Sequence, residues 1–180
     1  RTAMAWSMNA TAVRDKEEGI ATTIEDRLRA AAEVQKAGYR LAFHFDPMIE
    51  HENWHDGYRE TVDRIFKVIK PENIAWISLG ALRYPAPFED VLRENHPQSD
   101  IYLGELLMGI DKKRRYFKPI RVDMFSKMHE WIRSYSQDVC VYLCMESSEI
   151  WQKSFGWAPK TSGELKRLLD ERVRATPGSR

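Results

Sequence analysis

The stretch from Tyr39 to Arg59, YRLAFHFDPMIEHENWHDGYR, most constrains what this chain can become, because strand character and dense polarity meet in it. Tyr39, Leu41, Phe43 and Phe45 put an apolar side chain at every second position between Gly38 and Pro47, the pattern of a buried strand ending at Asp46. A helix opening near His55 follows it. His44, Asp46, Glu50, His51, Glu52 and His55 therefore crowd the C-terminal end of a strand, the place where α/β proteins hold their chemistry.

The same order of strand, loop and helix recurs along the chain. Ala3 to Asn9 reads as a first strand with Ser7, Met8 and Asn9 at its mouth, followed by a charged loop. Thr22 or Thr23 caps a helix with Ile24, Leu28, Ala31, Ala32 and Val34 near helical spacing, Glu25 and Asp26 in its first turn, and Gly38 at its end. A helix over about Asp56 to Ile69, a strand over Ile74 to Leu79 and a short helix over about Phe88 to Glu94 come next. Parallel strands joined by right-handed helical crossovers make either a barrel or an open doubly wound sheet. Beyond Pro97 the segment IYLGELLMGIDKKRRYFKPIR reads as strand pieces or a hairpin, with its cationic run at the tip. A helix over Asp123 to Ser136, a last strand over Val139 to Met145 and a helix capped by Ser147 or Ser148 follow. Ser162 to Ala175 reads as a charged terminal helix, and Thr176 to Arg180 is expected to fray.

A chain of 180 residues is expected to form a single domain with a sizeable core. Its net charge of +1 provides no global field toward nucleic acid or membrane, so any such affinity must be local. The two cysteines, Cys140 and Cys144, are too few for a disulfide framework; they read as structural thiols in a reducing compartment, taken as the cytoplasm. No apolar run reaches membrane-spanning length, and no signal-peptide order is seen, so no membrane partner is expected. The chain opens at Arg1 without an initiator Met and enters a strand at once, which reads as a piece of something longer. Six Trp and seven Phe call for a dense core or a surface that a missing segment covers.

Two motifs carry chemistry. His51, Glu52 and His55 spell His-Glu-x-x-His, in which two imidazoles one helical turn apart bind zinc and the Glu acts as base. A metal-dependent hydrolase on these residues, or on His44 and Asp46 of one strand face, is one reading; a solvated capping loop is the other. Lys112, Lys113, Arg114, Arg115, Tyr116, Phe117, Lys118 and Arg121 form a cationic block with aromatics inside it, suited to neutralise phosphates and to stack on or wedge between bases. Here the alternatives are a solvated turn or a non-catalytic nucleic-acid-binding or scaffold domain. Nucleophile arrangements and phosphate-cradling glycine loops are absent.

WSMNA, then EEGIATTIEDRLRAAAEVQKAGY, then FHFDPMIEHENWHDGYRE together resemble the C-terminal half of the spore photoproduct lyase family. The match is dense from Met4 to about Arg59, with Ile20 at a loop threonine of the family, and looser over the KRRY run and the helix after it. The resemblance implies an α/β fold, a partial (β/α) barrel of the radical S-adenosylmethionine, TIM-barrel-like kind, that splits spore-type thymine dimers in DNA. In such enzymes reductive cleavage of S-adenosylmethionine yields a 5′-deoxyadenosyl radical that takes hydrogen from the damaged pyrimidine. It further implies that Ser7, with Asn9 alongside, and His44 and Asp46 line the cofactor pocket, Asp46 standing where the family has alanine. Arg114, Arg115, Tyr116 and Arg121 would face DNA from a hairpin over 112–121, with Arg115 and Tyr116 wedging beside the lesion. The family's three cluster-binding cysteines and its hydrogen-donating cysteine would lie upstream of Arg1, in a missing N-terminal half. This chain alone is then expected to bind no 4Fe-4S cluster, S-adenosylmethionine or other metal and to catalyse nothing. The open edge of its first strand would invite self-association.

Overall fold

A computed structural model describes residues 2–174; the readings that fall on Arg1 and on 175–180 lie outside the described residues. Four parallel strands, β1 (Ala3–Ser7), β2 (Arg40–Met48), β3 (Ile74–Ala81) and β7 (Val141–Leu143), form one sheet in the order β1-β2-β3-β7. The connecting helices are α1 (Thr11–Glu17), α2 (Ile24–Lys36), α3 (Trp54–Val68), α4 (Phe88–Asn95) and α5 (Lys118–Tyr135), with α6 (Ser148–Phe155) and α7 (Ser162–Arg174) after the last strand. Between β3 and α5 the chain builds a second, antiparallel sheet from β4 (Arg83–Pro85), β5 (Leu106–Met108) and β6 (Lys113–Tyr116), in the order β4-β6-β5.

Local chemistry explains most boundaries. Thr23 caps α2 by accepting the Asp26 amide at 3.1 Å, and Gly38, at φ +82°, carries the chain out of that helix in a conformation side chains disfavour. α3 begins at Trp54, directly after Asn53 turns through φ +62°. The expected charged loop after Asn9 is instead α1, whose lone buried residue, Val13, leaves no apolar stripe to read. Tyr39 is 48% exposed and precedes β2. The strand's burial is nearly continuous from Arg40 to Phe43 because parallel neighbours flank it, so alternation was a poor guide to its start. β2 also runs past Asp46, through a cis Asp46–Pro47 bond, to Met48. A register shift between Phe45 and Met48 spares the ladder the donor that Pro47 lacks.

Helices pack on one sheet face, where Phe43, Phe45, Ile77, Leu79, Val141 and Leu143 join the buried cluster and Phe45 meets Tyr58 of α3 edge to face at 6.2 Å. The opposite face carries Ser7, His44, Ser78 and Tyr142 near the C-terminal strand ends. At its N-terminal end, Ala3 and Trp76 border a cleft of about 740 Å³ with Asp170, Val173 and Arg174 of α7. No described helix is long and apolar enough to cross a membrane.

The Tyr58 hydroxyl is fully buried, accepts the Ile49 amide at 2.7 Å and donates to Asn9 Oδ1 at 2.5 Å. Tyr58→Phe leaves both partners unpaired in the core and is expected to cost about 2–4 kcal/mol. Urea denaturation checks this as a lowered midpoint at unchanged slope.

A second expectation concerns acid. His129 stacks on Phe155 at 4.2 Å and accepts from Arg133 Nε at 3.1 Å; burial, then the Arg133 charge, pushes its pKa from 6.5 down to about 4. The unfolded chain takes up this proton first, so stability present above about pH 6.5 is lost as pH falls toward 4. With the ring half-buried, the loss amounts to about 1–2 kcal/mol. His129→Gln is expected to remove that part of the pH dependence in thermal melts.

Candidate functional site

Ser7, His44, Ser78 and Tyr142 are register partners across β1, β2, β3 and β7, so they form one polar row on one face of the sheet. Ser78, 1% exposed, holds its Oγ 2.5 Å from His44 Nδ1, with Tyr142 as its register partner on β7. Burial lowers the His44 pKa, against the opposing pull of the Asp46 carboxylate, so the imidazole is neutral at pH 7. Engagement of Nδ1 by Ser78 leaves Nε2 to serve a ligand.

Asp46 continues this face toward the strand ends. A Cβ on Gly80 would overlap its carboxyl group, so glycine on the neighbouring strand leaves room for Asp46 in its present rotamer. Arg83 Nη1 lies 3.5 Å from Asp46 Oδ1 and donates to the Ala81 carbonyl at 3.3 Å, while its Nη2 donates to Cys144 Sγ at 3.7 Å. Burial first, then the hydrogen bond to Asp46, push the Cys144 thiol up, which keeps it protonated. Cys140 is buried before β7 and Cys144 half-buried after it, and both are free thiols.

Asn9 is not beside Ser7 in an open pocket. It is 5% exposed and its side chain is spent on the Tyr58 hydroxyl, on Glu18 Oε1 at 3.2 Å and on the Pro47 carbonyl at 3.4 Å. The Ser7 side chain is exposed, while its carbonyl accepts from Arg27 Nη1 at 3.0 Å.

His51 and His55 do not share a helix. The left-handed turn at Asn53 separates them, His51 Nδ1 meets the Glu52 carbonyl at 2.6 Å, and the His55 ring packs edge-on against Trp131 at 4.7 Å. The one-turn spacing that a zinc protease pattern needs is thus broken. His44 and Asp46 do share a face, but no group of three His, Cys, Asp or Glu able to hold a metal occurs among the described residues.

The hairpin is real, with its cations placed differently. Its tip is Gly109 to Lys112, where Lys112 turns through φ +60°, and Lys113 to Tyr116 form the middle strand β6 rather than the tip. Tyr116 is 1% exposed and its hydroxyl accepts the Glu50 amide at 3.0 Å; Arg121, 9% exposed, donates to the Tyr116 carbonyl at 3.0 Å and pairs with Glu146. Neither side chain is placed to reach a duplex. Arg114 pairs with Glu89 at 2.5 Å, and Arg115 pairs with Asp111. What the tip and the adjoining end of β5 expose is Leu107, Met108, Ile110, Asp111 and Lys112. Sequence reading missed this apolar set, whose signal is LLMGI between Gly104 and Asp111, and it missed Ser78, Gly80, Arg83 and Tyr142, which show only as the ends of apolar strands.

Comparison with known proteins bears on this geometry. The spore photoproduct lyase family model matches residues 1–131. The spore photoproduct lyase of Bacillus subtilis (strain 168) is 30% identical over 119 residues, 64% of this chain and 33% of that protein. That of Geobacillus sp. (strain Y412MC61) is 25% identical over 118 residues, again 64% and 33%. The chain therefore spans about a third of the length of the curated relatives it matches. A spore photoproduct lyase complexed with dinucleoside spore photoproduct superposes with a TM-score of 0.69 at 22% identity, over 79% of this chain and 44% of that one. A mutant lyase with bound AdoMet and dinucleoside spore photoproduct gives the same values. The likeness to these structures is one of α/β fold with a parallel sheet; the match to the family model, over more than half of the residues, decides membership. The chain belongs to the spore photoproduct lyase family.

Proposed function

We propose that this chain forms one wall of the cofactor and substrate pocket of a lyase-type radical S-adenosylmethionine enzyme that repairs UV-damaged thymine dimers in DNA. The observation that carries the reading is the in-register polar row Ser7, His44, Ser78 and Tyr142, continued by Asp46, at the C-terminal ends of parallel strands. Four parallel strands with most helices on one face, α7 at the N-terminal end of the other and the polar row at its C-terminal end support an arc of a (β/α) barrel, within a single domain that a further half completes. Solved lyases carrying AdoMet and dinucleoside spore photoproduct support the choice of cofactor and lesion class.

The side chains fit one side of S-adenosylmethionine. The Ser7 hydroxyl, His44 Nε2 and the Asp46 carboxylate would hold its polar groups, with Ser78 fixing the imidazole from behind. They do not fit a 4Fe-4S cluster, which needs three thiolates, whereas Cys140 and Cys144 are two and lie at opposite ends of β7. Cluster ligands would come from outside this chain, and a reducing cytoplasm would suit both free thiols. When bound beside such a cluster, S-adenosylmethionine supplies the power to abstract hydrogen from a pyrimidine. This wall binds, orients and shields.

The hairpin would engage DNA through its tip. Ile110, Met108 and Leu107 are apolar and exposed, fit to wedge between base steps, and Lys112 and Lys113 stand beside them for phosphates. Tyr116 and Arg121 brace the hairpin from within. A non-catalytic nucleic-acid-binding domain would share this hairpin, and the polar row at the strand ends favours the enzyme.

Two measurements test the reading. The complete parent protein, purified without air, is expected to bind a 4Fe-4S cluster and S-adenosylmethionine, and Ser78→Ala to weaken the latter roughly tenfold by releasing His44, about 1.4 kcal/mol; a colourless protein indifferent to S-adenosylmethionine would refute it. Joint replacement of Lys112 and Lys113 by Gln is expected to lower the slope of log affinity for duplex DNA against log salt by about 2, roughly one per lost phosphate contact. An unchanged slope would remove the hairpin from the DNA interface.

A further inference from the structure

Arg83 and Arg115 stand directly opposite each other on the antiparallel strands β4 and β6, so both side chains rise from the same face. One step toward the tip on that face, Pro85 opposes Lys113, while Tyr84 and Arg114 take the other face, where Tyr84 is buried. Like charges directly opposite on a sheet are unfavourable, and here each guanidinium leans away from the other. Arg115 reaches toward the tip, past Gly109 to Asp111. Arg83 reaches toward the mouth of the parallel sheet, to Asp46 and Cys144. The two side chains, with Lys113 beside them, thus link the hairpin to the polar row in one strip of three cations that has a carboxylate at either end, Asp46 and Asp111.

Arg83 is the less committed of the pair. Its separation from Asp46, 3.5 Å, is long beside the roughly 2.7–2.9 Å of a settled charge-assisted hydrogen bond, and its other acceptors, the Ala81 carbonyl and the Cys144 sulfur, carry no formal charge. The side chain is only 15% exposed, so its field is less screened by water than that of a surface lysine. A planar fork with unspent N–H groups, half-sheltered at a pocket mouth and continued by Arg115 and Lys113, matches successive phosphates of a nucleic-acid strand.

We infer that Arg83 and Arg115 form a phosphodiester-binding strip joining the hairpin to the pocket, with Arg83 holding the backbone of the damaged strand next to Asp46. This rests on the DNA-repair reading above and deepens it: the tip cations would bind nucleic acid anywhere along it, while Arg83 sets which nucleotide stands at the pocket. The experiment measures binding of a short thymidine oligonucleotide to the complete parent protein as a function of salt, with S-adenosylmethionine binding measured in parallel. Arg83→Gln is expected to weaken binding roughly tenfold and to lower the log–log salt slope by about 0.7, one single-strand phosphate contact. Arg83→Lys is expected to keep the slope and lose part of the affinity, and if the Gln variant fails to fold this variant decides. One oligonucleotide series carries a single neutral methylphosphonate linkage at each position in turn; one position is expected to erase the difference between wild type and variant. If Arg83→Gln leaves affinity and slope unchanged while replacement of Lys112 and Lys113 still lowers them, the strip is overturned and the hairpin reading stands. If Arg83→Gln or, where that variant does not fold, Arg83→Lys weakens only S-adenosylmethionine binding, the phosphate assignment is likewise overturned. If the wild-type parent protein binds no oligonucleotide, both readings fall.

Discussion

The strand ends of this protein are held in place by one buried side chain, Asn9. Its amide oxygen accepts from the Tyr58 hydroxyl, its amide nitrogen reaches Glu18 and the Pro47 carbonyl, and its own carbonyl accepts from Thr61 of α3 at 3.0 Å. Tyr58 in turn takes the Ile49 amide just beyond β2, and Glu18 pairs with Arg27, which donates to the Ser7 carbonyl. The ends of β1 and β2 and the flank of α3 therefore share one hydrogen-bonded network inside the core. Polar groups so deeply buried hold their geometry because leaving any of them unpaired is costly. The exposed face built on those strands inherits that rigidity: Ser7 lies two residues from Asn9, and Asp46 immediately precedes the Pro47 whose carbonyl Asn9 binds.

Much of this was legible in the residues. The apolar alternation in FHF, the cap at Thr23 and the glycine at 38 located β2 and α2, and the alternation of strands and helices named an α/β fold with a parallel sheet. What escaped has physical causes. A seven-residue helix with one inward side chain, α1, has no period to detect. The three-residue strand β4 lies below the length at which alternation distinguishes a strand from a turn, whereas β7 was read with longer bounds, as Val139 to Met145. Site residues were legible in part: His44, Asp46 and Ser7 were visible as polar interruptions near strand ends, and they do share a face. Ser78 and Tyr142 became visible only when register set them beside His44, since pairing between distant strands has no local signature.

The hairpin shows how composition misleads about side-chain direction. A run of four cations followed by two aromatics suggests a sticky tip, yet a strand sends alternate residues to opposite faces and its central position buries the last of them. Tyr116 therefore props the Glu50 amide, and Arg121 braces the Tyr116 carbonyl while paired with Glu146. These are residues of high chemical potential for binding, used instead to hold a short antiparallel sheet against a parallel one. The projecting surface falls to Leu107, Met108 and Ile110, which a scan for charge passes over.

Gly80 and Asp46 stand in a one-way dependence. The carboxylate at 46 keeps its present rotamer only while the adjoining strand lacks a side chain at 80, whereas glycine at 80 tolerates a smaller neighbour at 46 without conflict. Any side chain at 80 would turn the carboxyl group out of its present direction, so the bare backbone there decides where the acid points relative to Arg83.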